Sequence, residues 1–512
     1  MKKLLRLLYS NKFAALFMFL IQLAVFVGMF VWISDYSKAL VGFSGVLGAV
    51  LIILEVNSSE EPTFKATWIL LIAVIPIFGA LFYLYTRCNR SVSNNIKDDY
   101  TKAHEKNKKY LTENEEVFKN PALADRHESG FVKYLAKYGG APVYSNTAVQ
   151  YYSIGEKMFE DMKKELLKAE KFIFMEFFII NSADRMWNEV LEILRQKVKQ
   201  GVEVRLMYDA MGCLTTLPRH YDEVLNKFGI KCRVFSPIVP LISTHQNNRD
   251  HRKILVIDGK VAFSGGINLA DEYINAKERF GHWKDTGFML RGDAVEGYTA
   301  MFLNMWNVNN EEIEDGGEYI TATKGNSAEA DGIVVPFGDT PLDEVYIGKR
   351  AYIYNLDNAS DYVYIMTPYL VIDDEMYKSL KYASQRGVDV KIIMPHIPDK
   401  AYAFYLARTY YKSLLKEGIE IYEYTPGFVH AKVSVSDGNR AIVGTINHDY
   451  RSLYLHYECA SYMKNVPAIL DIEHDFKATL EKSQKITLED VKKFNVFTKL
   501  IGHVVRLVAP LM

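Results

Sequence analysis

The chain has 512 residues, enough for two or three domains, with 49% hydrophobic residues and 61 Lys+Arg against 62 Asp+Glu. A net charge of −1 disfavours a dedicated nucleic-acid binder, which shows a basic excess. The four cysteines, Cys88, Cys213, Cys232 and Cys459, are scattered, with neither zinc-ligand spacing nor the density of a disulfide framework.

Lys2, Lys3, Arg6 and Lys12 precede an uncharged run over residues 13–33. The run is too long for the core of a signal peptide and lacks a small-x-small cleavage site, so it reads as an uncleaved membrane helix. A second apolar run covers 39–56 and carries Gly42, Gly45 and Gly48. After a polar break holding Glu60, Glu61 and Pro62, a third covers 66–85, with Trp68 at one margin and Tyr83 and Tyr85 at the other. Aromatic residues at both ends suit the two lipid–water interfaces. Residues 1–87 are therefore a membrane region with two or three transmembrane helices. Basic residues flank both ends, at Lys2 to Lys12 and at Arg87, Arg90 and Lys97. Three full crossings cannot keep both clusters inside, so one run does not span or one cluster is overruled. With the acidic 55–61 loop outside, the catalytic region falls in the cytoplasm.

Residues 88–130 are polar and lysine-rich, and read as a linker with helical stretches along the membrane surface or as a solvated charged face. A globular pattern then begins. Met158, Phe159, Met162, Leu166 and Leu167 mark a helix over 155–168; an aromatic, β-branched strand covers 171–180, an amphipathic helix 185–200, and a strand entered through glycine 201–209. Next comes His251-x-Lys253, four residues, Asp258, six residues, and Gly265-Gly266-Ile267-Asn268.

Residues 313–332, rich in Gly, Glu, Asp and Ala, form the join to a second half that repeats the plan. A strand covers 361–371, a helix 374–385 and a strand 387–395. His430-x-Lys432, four residues, Asp437, six residues, and Gly444-Thr445-Ile446-Asn447 follow. Strands alternating with helices predict an α/β fold with parallel or mixed sheets, in domains over 131–330 and 331–490. The 491–512 segment is basic and amphipathic; it either lies on an anionic membrane surface or packs on the core.

One His-x-Lys pair means little. Two copies agreeing in His, Lys, Asp, Gly and Asn at one spacing do not arise by chance. In extended chain, residues two apart share a face, so His251 lies with Lys253 and His430 with Lys432. One imidazole can attack phosphorus while a second moves the proton; two lysines and two asparagines stabilise phosphoryl charge, with no metal required.

The paired motifs resemble the phospholipase D superfamily signature, His-x-Lys-x4-Asp-x6-Gly-Ser-x-Asn. Together with the apolar N-terminus they are most similar to its bacterial cardiolipin synthase branch. The serine of the signature is Gly266 in one copy and Thr445 in the other, so the half-sites are not equivalent. The resemblance implies two half-domains related by a pseudo-twofold axis, with both histidines and both lysines around one phosphate. It implies an acidic residue after each motif that orients a histidine, here Asp285 and Glu458, and it suggests that Thr367-Pro368-Tyr369 lines the pocket. The candidate site is thus His251, Lys253, Asp258, His430, Lys432, Asp437, Asn268, Asn447, Asp285 and Glu458, with Asp258 and Asp437 expected to fix strand-end turns. His251 is the expected nucleophile and His430 the acid/base. His245, His282, His396, His448 and His456 have no spacing that assigns them a role and read as structural or surface residues. The implied activity is phosphatidyl transfer between two phosphatidylglycerol molecules in a bacterial cell membrane, giving cardiolipin and glycerol. No cofactor and no nucleic-acid partner are expected. The rival is a phospholipase D that uses water and releases phosphatidic acid; a phosphodiesterase of the same superfamily fits the neutral charge and membrane anchor less well.

Overall fold

The computed structural model describes residues 35–87, 90–236 and 248–511 and the isolated positions 20 and 24, the side chains of 35–41, 87, 90–94 and 511 aside. The expected span over 13–33 and His245 lie outside these residues, apart from positions 20 and 24. The described residues form two compact units: an N-terminal unit ending at Ile96, which also takes 506–511, and a large unit over 97–236 and 248–505.

In the N-terminal unit the second apolar run lies in the helix Asp35–Val56, whose Phe43, Val46, Ile53 and Leu54 are exposed. The third run is not the single helix expected. It divides into Pro62–Val74 and Pro76–Arg87. Pro76 lacks the N–H that would continue the helix, and its ring drives Ile75 out of the helical region, to φ −128° and ψ 72°. The two pieces fold back on each other. A Cβ on Gly79 would lie 2.5 Å from the Leu71 carbonyl oxygen, so only glycine permits that approach. Trp68 meets the Tyr83 ring edge-on at 5.3 Å. Glu55, expected in an acidic outer loop, is buried and accepts a 2.8 Å bond from the Tyr83 hydroxyl. Among the described residues no helix is long and apolar enough to cross a membrane.

The large unit holds two mixed sheets. The first is built from β1 (Thr147–Tyr152), β2 (Phe172–Phe177), β3 (Glu203–Asp209), β4 (Lys231–Phe235), β5 (Lys253–Ile257), β6 (Val261–Gly265) and β8 (Gly287–Gly292), with β7 (His282–Lys284) standing apart. Its order is β1-β8-β6-β5-β2-β3-β4. The second uses β9 (Ile333–Asp339), β10 (Tyr362–Met366), β12 (Asp389–Pro395), β13 (Glu420–Tyr424), β15 (Val433–Ser436), β16 (Arg440–Gly444), β18 (Glu458–Lys464) and β19 (Ser483–Ile486). Read from the other edge, its order is β9-β18-β16-β15-β10-β12-β13, with β19 appended. Parallel and antiparallel pairs fall at equivalent places in both. The expected repeat is therefore a repeat of whole sheets. Strand β2 is buried at every position, as its apolar sequence requires of a strand covered on both faces, and the one charge in it, Glu176, is paired with Arg252.

Short strands tie the halves together crosswise. Strand β14 (Gly427–Val429) runs parallel to β7, pairing Phe428 with Trp283, and His430 N–H donates to the Lys284 oxygen at 2.7 Å. At the matching place His251 N–H donates to the Tyr457 oxygen at 2.9 Å, and Tyr457 N–H to the Arg249 oxygen at 2.8 Å. The chain before each motif histidine is thus held by the other half. The strand expected over 361–371 is interrupted after Met366, because Pro368 has no N–H for a ladder; β11 (Leu370–Val371) then pairs with β17 (His448–Asp449).

Two expected boundaries move. Within the large unit, residues 97–130 are not an open linker: Ala103 and Asn107 are buried, and Asn107 Nδ2 donates to Asn304 Oδ1 at 2.8 Å. The helix Arg126–Gly139 belongs by packing to the second half, although it precedes the first in sequence. Phe131 stacks on Tyr354 with ring centroids 3.6 Å apart, and its buried Glu128 accepts from Arg440 Nε at 2.8 Å.

Candidate functional site

The histidines lie in extended chain just before β5 and β15, and each following lysine lies at or just before the strand start. His251 and His430 are each 7% exposed; Lys253, Lys432, Asp285 and Glu458 are buried. The strand exchange decides which acid meets which histidine. Asp285 follows β7, whose partner strand ends just before His430; its Oδ2 lies 2.6 Å from His430 Nδ1. Glu458 follows Tyr457, the partner of the His251 segment; its Oε1 and Oε2 lie 2.9 and 3.0 Å from His251 Nδ1. Each half therefore supplies the carboxylate for the other half's histidine. A carboxylate at Nδ1 leaves Nε2 as the nitrogen free to react.

The Gly266/Thr445 difference has a local cause. A Cβ on Gly266 would lie 2.0 Å from Asp285 Oδ1, so the shorter acid fills the space of the missing side chain. That oxygen accepts from Thr286 N–H at 2.8 Å instead. In the other half the longer Glu458 stands back and takes the Thr445 hydroxyl, with Ser452 Oγ donating to its other oxygen at 2.7 Å. Glycine goes with Asp, and threonine with Glu.

Both lysine ammonium groups bond the carbonyl of their own histidine. Lys432 Nζ also lies 2.9 Å from His430 Nδ1. Burial brings Lys432 down to about 7 and Lys253 to about 8. Burial, then Lys253 and Lys432, hold His251 well below the usual imidazole range. Burial and Lys432 bring His430 to about 4, against the pull of Asp285. Burial would raise Asp285, but His430 and Lys432 outweigh it and lower it. Asp285 and Glu458 act on both lysines from a distance, but neither ammonium has a carboxylate in direct ion-pair contact among the described residues, a place that a phosphate would fill.

The remaining candidates separate. Asn268 Oδ1 accepts from Ile179 N–H at 3.0 Å and its Nδ2 donates to Tyr273 Oη at 2.8 Å. Asn447 Oδ1 is buried with no hydrogen-bond partner among the described residues. Asp258 and Asp437, included among the site candidates, lie at the far ends of β5 and β15 from the histidines. Both have positive φ, +53° and +51°, in three-residue turns shared with Gly259 and Gly438. Asp258 accepts from Glu170, Lys171 and Phe172 N–H at 2.7–2.8 Å, and Asp437 from Ser360, Asp361 and Tyr362 N–H at 2.8–3.0 Å. They pin the start of the neighbouring strand and stand away from the histidines, as turn residues.

Some neighbours were not expected. Phe178 meets His251 edge-on at 5.0 Å; Tyr273 and Trp283 lie 5.5 and 5.3 Å from His430. His456 lies 5.6 Å from His251, ring to ring, with neither ring nitrogen hydrogen-bonded among the described residues, and burial brings it to about 3. His251, His456 and Glu458 put ligand atoms within 4.8 Å of one another, a set that could hold a metal ion and that sequence spacing concealed. A metal there would compete with the bond between Glu458 and His251. His282 reaches Tyr424 Oη at 3.1 Å and His396 reaches Glu423 at 3.0 Å, in keeping with structural roles. His448 is buried and stacks on Tyr352 at 4.2 Å. Thr367 is buried, and its Oγ1 accepts from His448 N–H at 3.3 Å, next to Asn447.

Comparison with known proteins places this geometry. A family model described as cardiolipin synthase, phospholipase D-like domain, matches residues 162–306 and 352–480, and a phospholipase D-nuclease N-terminal model matches 46–87. An uncharacterized protein of Streptococcus mutans serotype c is 50% identical over 91% of this chain and 100% of its own. A cardiolipin synthase of Halalkalibacterium halodurans is 31% identical over 94% of this chain and 95% of its own. Among solved structures, a phosphatidylserine synthase of Haemophilus influenzae superposes with a TM-score of 0.54 at 12% identity, over 71% of this chain and 95% of its own, which supports the fold.

Proposed function

The chain belongs to the cardiolipin synthase family of phospholipase D-like proteins, and from that premise we propose that it is a membrane-bound phosphatidyltransferase joining two phosphatidylglycerol molecules. The observation that carries the reading is the crosswise pair of histidine–carboxylate contacts, with a buried lysine beside each histidine.

In the proposed reaction His251 Nε2 attacks the phosphorus of the first phosphatidylglycerol. The bond from phosphorus to the glycerol oxygen breaks, and His430 Nε2–H gives that oxygen its proton, releasing glycerol. The phosphatidyl group remains on His251. A hydroxyl of the second phosphatidylglycerol then gives its proton to His430 and attacks phosphorus, the P–N bond breaks, and cardiolipin leaves. Lys253 and Lys432 stabilise charge on the phosphoryl oxygens, and the unpaired Asn447 amide adds a polar group. Two contacts support this division of roles. Glu458 shares its charge among His251 and two hydroxyls, so it orients the ring without strongly favouring its protonated form. Asp285 turns one oxygen on His430 at 2.6 Å, which pulls that ring toward the imidazolium needed as an acid against burial and Lys432, so the acid form is to be reached with the anionic phosphodiester bound.

The N-terminal region serves as the anchor in this proposal. Residues 13–33 and the exposed apolar face of Asp35–Val56 meet lipid, the hairpin 62–87 dips into the bilayer without crossing, and the catalytic residues work on the cytoplasmic side.

The test is product analysis on phosphatidylglycerol vesicles with a chelator present. Cardiolipin and free glycerol are expected. Phosphatidic acid in their place would make the chain a hydrolase and overturn the transfer reading. Turnover that returns only with added metal would replace the histidine–lysine chemistry with a role for the set formed by His251, His456 and Glu458.

A further inference from the structure

A concavity of about 450 Å³ lies in the large unit, and none of its lining residues belongs to the histidine site. Its walls are the helix Ala401–Lys416 and the C-terminal helices Leu488–Lys493 and Val496–Val508. Lys412, Lys416, Lys492 and Lys499 line it together with Arg408 and His503, and no carboxylate does. Arg408 is already engaged by Glu423, at 2.9 Å. The four lysines have no carboxylate within ion-pair distance among the described residues. Lys499 Nζ donates to the Lys492 carbonyl at 3.0 Å, an exposed contact at the rim.

The same helix presents an uncovered apolar stripe. A Cβ on Gly502 would lie 2.4 Å from the Tyr405 oxygen, so glycine lets the helix press directly on Ala401–Lys416. Val496, Phe497, Leu500, Ile501 and Val504 then face outward, 45–76% exposed. Their spacing is that of one helix face. A contiguous exposed apolar stripe marks an interaction surface, and one bordered by uncompensated lysines matches a lipid interface carrying anionic headgroups.

We propose that this cavity and stripe form a docking site for an anionic phospholipid within its bilayer. The four lysines take the headgroup phosphate, and Phe497, Leu500, Ile501 and Val504 insert between acyl chains. The site is separate from the histidine centre and does not depend on what that centre catalyses.

The test uses the full chain carrying Phe497→Trp in nanodiscs of bromine-labelled phosphatidylcholine, with or without phosphatidylserine. With phosphatidylserine the emission added by the new tryptophan, relative to the parent chain, should be at least halved by the bromine, and much less so without it. Replacing Lys412, Lys416, Lys492 and Lys499 together by alanine should remove the dependence on phosphatidylserine while leaving the unfolding midpoint in detergent unchanged. Replacing the four by arginine should restore it. No quenching in phosphatidylserine discs, equal quenching with and without that lipid, or quenching that survives the alanine variant overturns the proposal. So does binding of inorganic phosphate through these lysines in detergent if Trp emission stays unquenched in discs.

Discussion

The two half-sites share a backbone plan and differ in chemistry. His251 sits among buried charges: Arg252 pairs with Glu176 at 2.6 Å, and Arg249 lies 3.8 Å from Asp209. His430 sits among Phe428, Val429 and Ala431, all buried and apolar. One acid is Glu against Thr445, the other Asp against Gly266. One asparagine is saturated, the other has an unpaired oxygen. Symmetry in a duplicated fold fixes where groups stand, and the local packing decides what each can do. Because the carboxylates are exchanged, neither half can be tuned without altering the other.

The sharpest way to break the comparison is to remove each histidine. His251→Ala and His430→Ala should each lower turnover by about 10³-fold or more. Only the His430→Ala protein should accumulate a covalent lipid adduct when given fluorescent phosphatidylglycerol, detected by gel and mass spectrometry. An adduct in His251→Ala instead would reverse the roles. The exchanged acids come next. Glu458→Gln and Asp285→Asn should each cost about 10²-fold. Glu458→Gln should slow adduct formation, and Asp285→Asn both adduct formation and its resolution, which rapid-quench measurement separates. If each acid affected only the step of its own half's histidine, the exchange would have no catalytic meaning.

A smaller effect is expected from pH. Burial lowers Lys432 to about 7 and Lys253 to about 8, so raising the pH through this window removes positive charge from the phosphate site of the free enzyme. The kcat/KM profile should fall on its alkaline side there. Bound phosphodiester favours the protonated amines, so the fall in kcat should lie at higher pH. A profile flat to pH 9, about two units above the Lys432 value, would show that the lysines stay charged without substrate. The smallest effect sharpens the contrast between the half-sites. Gly266→Thr alone should push Asp285 aside and lower both activity and melting temperature. Thr445→Val should cost about 1–3 kcal/mol by leaving Glu458 short of a donor. Gly266→Thr combined with Asp285→Glu should be milder than Gly266→Thr alone, measured by thermal unfolding.

Much of this was legible in the sequence because the repeat carries its chemistry in local motifs. His251, Lys253, His430 and Lys432 announce themselves by spacing, and the flanking strands by aromatic, β-branched runs. What was not legible depends on pairing distant in sequence. Nothing near Asp285 says that its partner is His430, since that follows from β7 lying beside β14. His456 reaches His251 by the same route. Asp258 and Asp437 were expected to fix strand-end turns, and each accepts from three backbone N–H groups at the start of the neighbouring strand, partners that the sequence did not name. The break at Pro76 was also available, and a count of apolar residues alone passed over it. The placement of Arg126–Gly139 on the second half was hidden, because Glu128 finds Arg440 only after both sheets have formed.

The crosswise strands have a consequence for synthesis on the ribosome. A nascent chain that has folded only its first sheet holds His251 with no carboxylate at Nδ1, since Glu458 has yet to be translated. Asp285, made early, waits for a histidine that arrives much later. At roughly 5–20 residues per second the interval between the first motif and its carboxylate is tens of seconds at most. On the proposed roles, the growing chain then carries no oriented nucleophile throughout it, and a chain cut short anywhere before residue 458 should be inert.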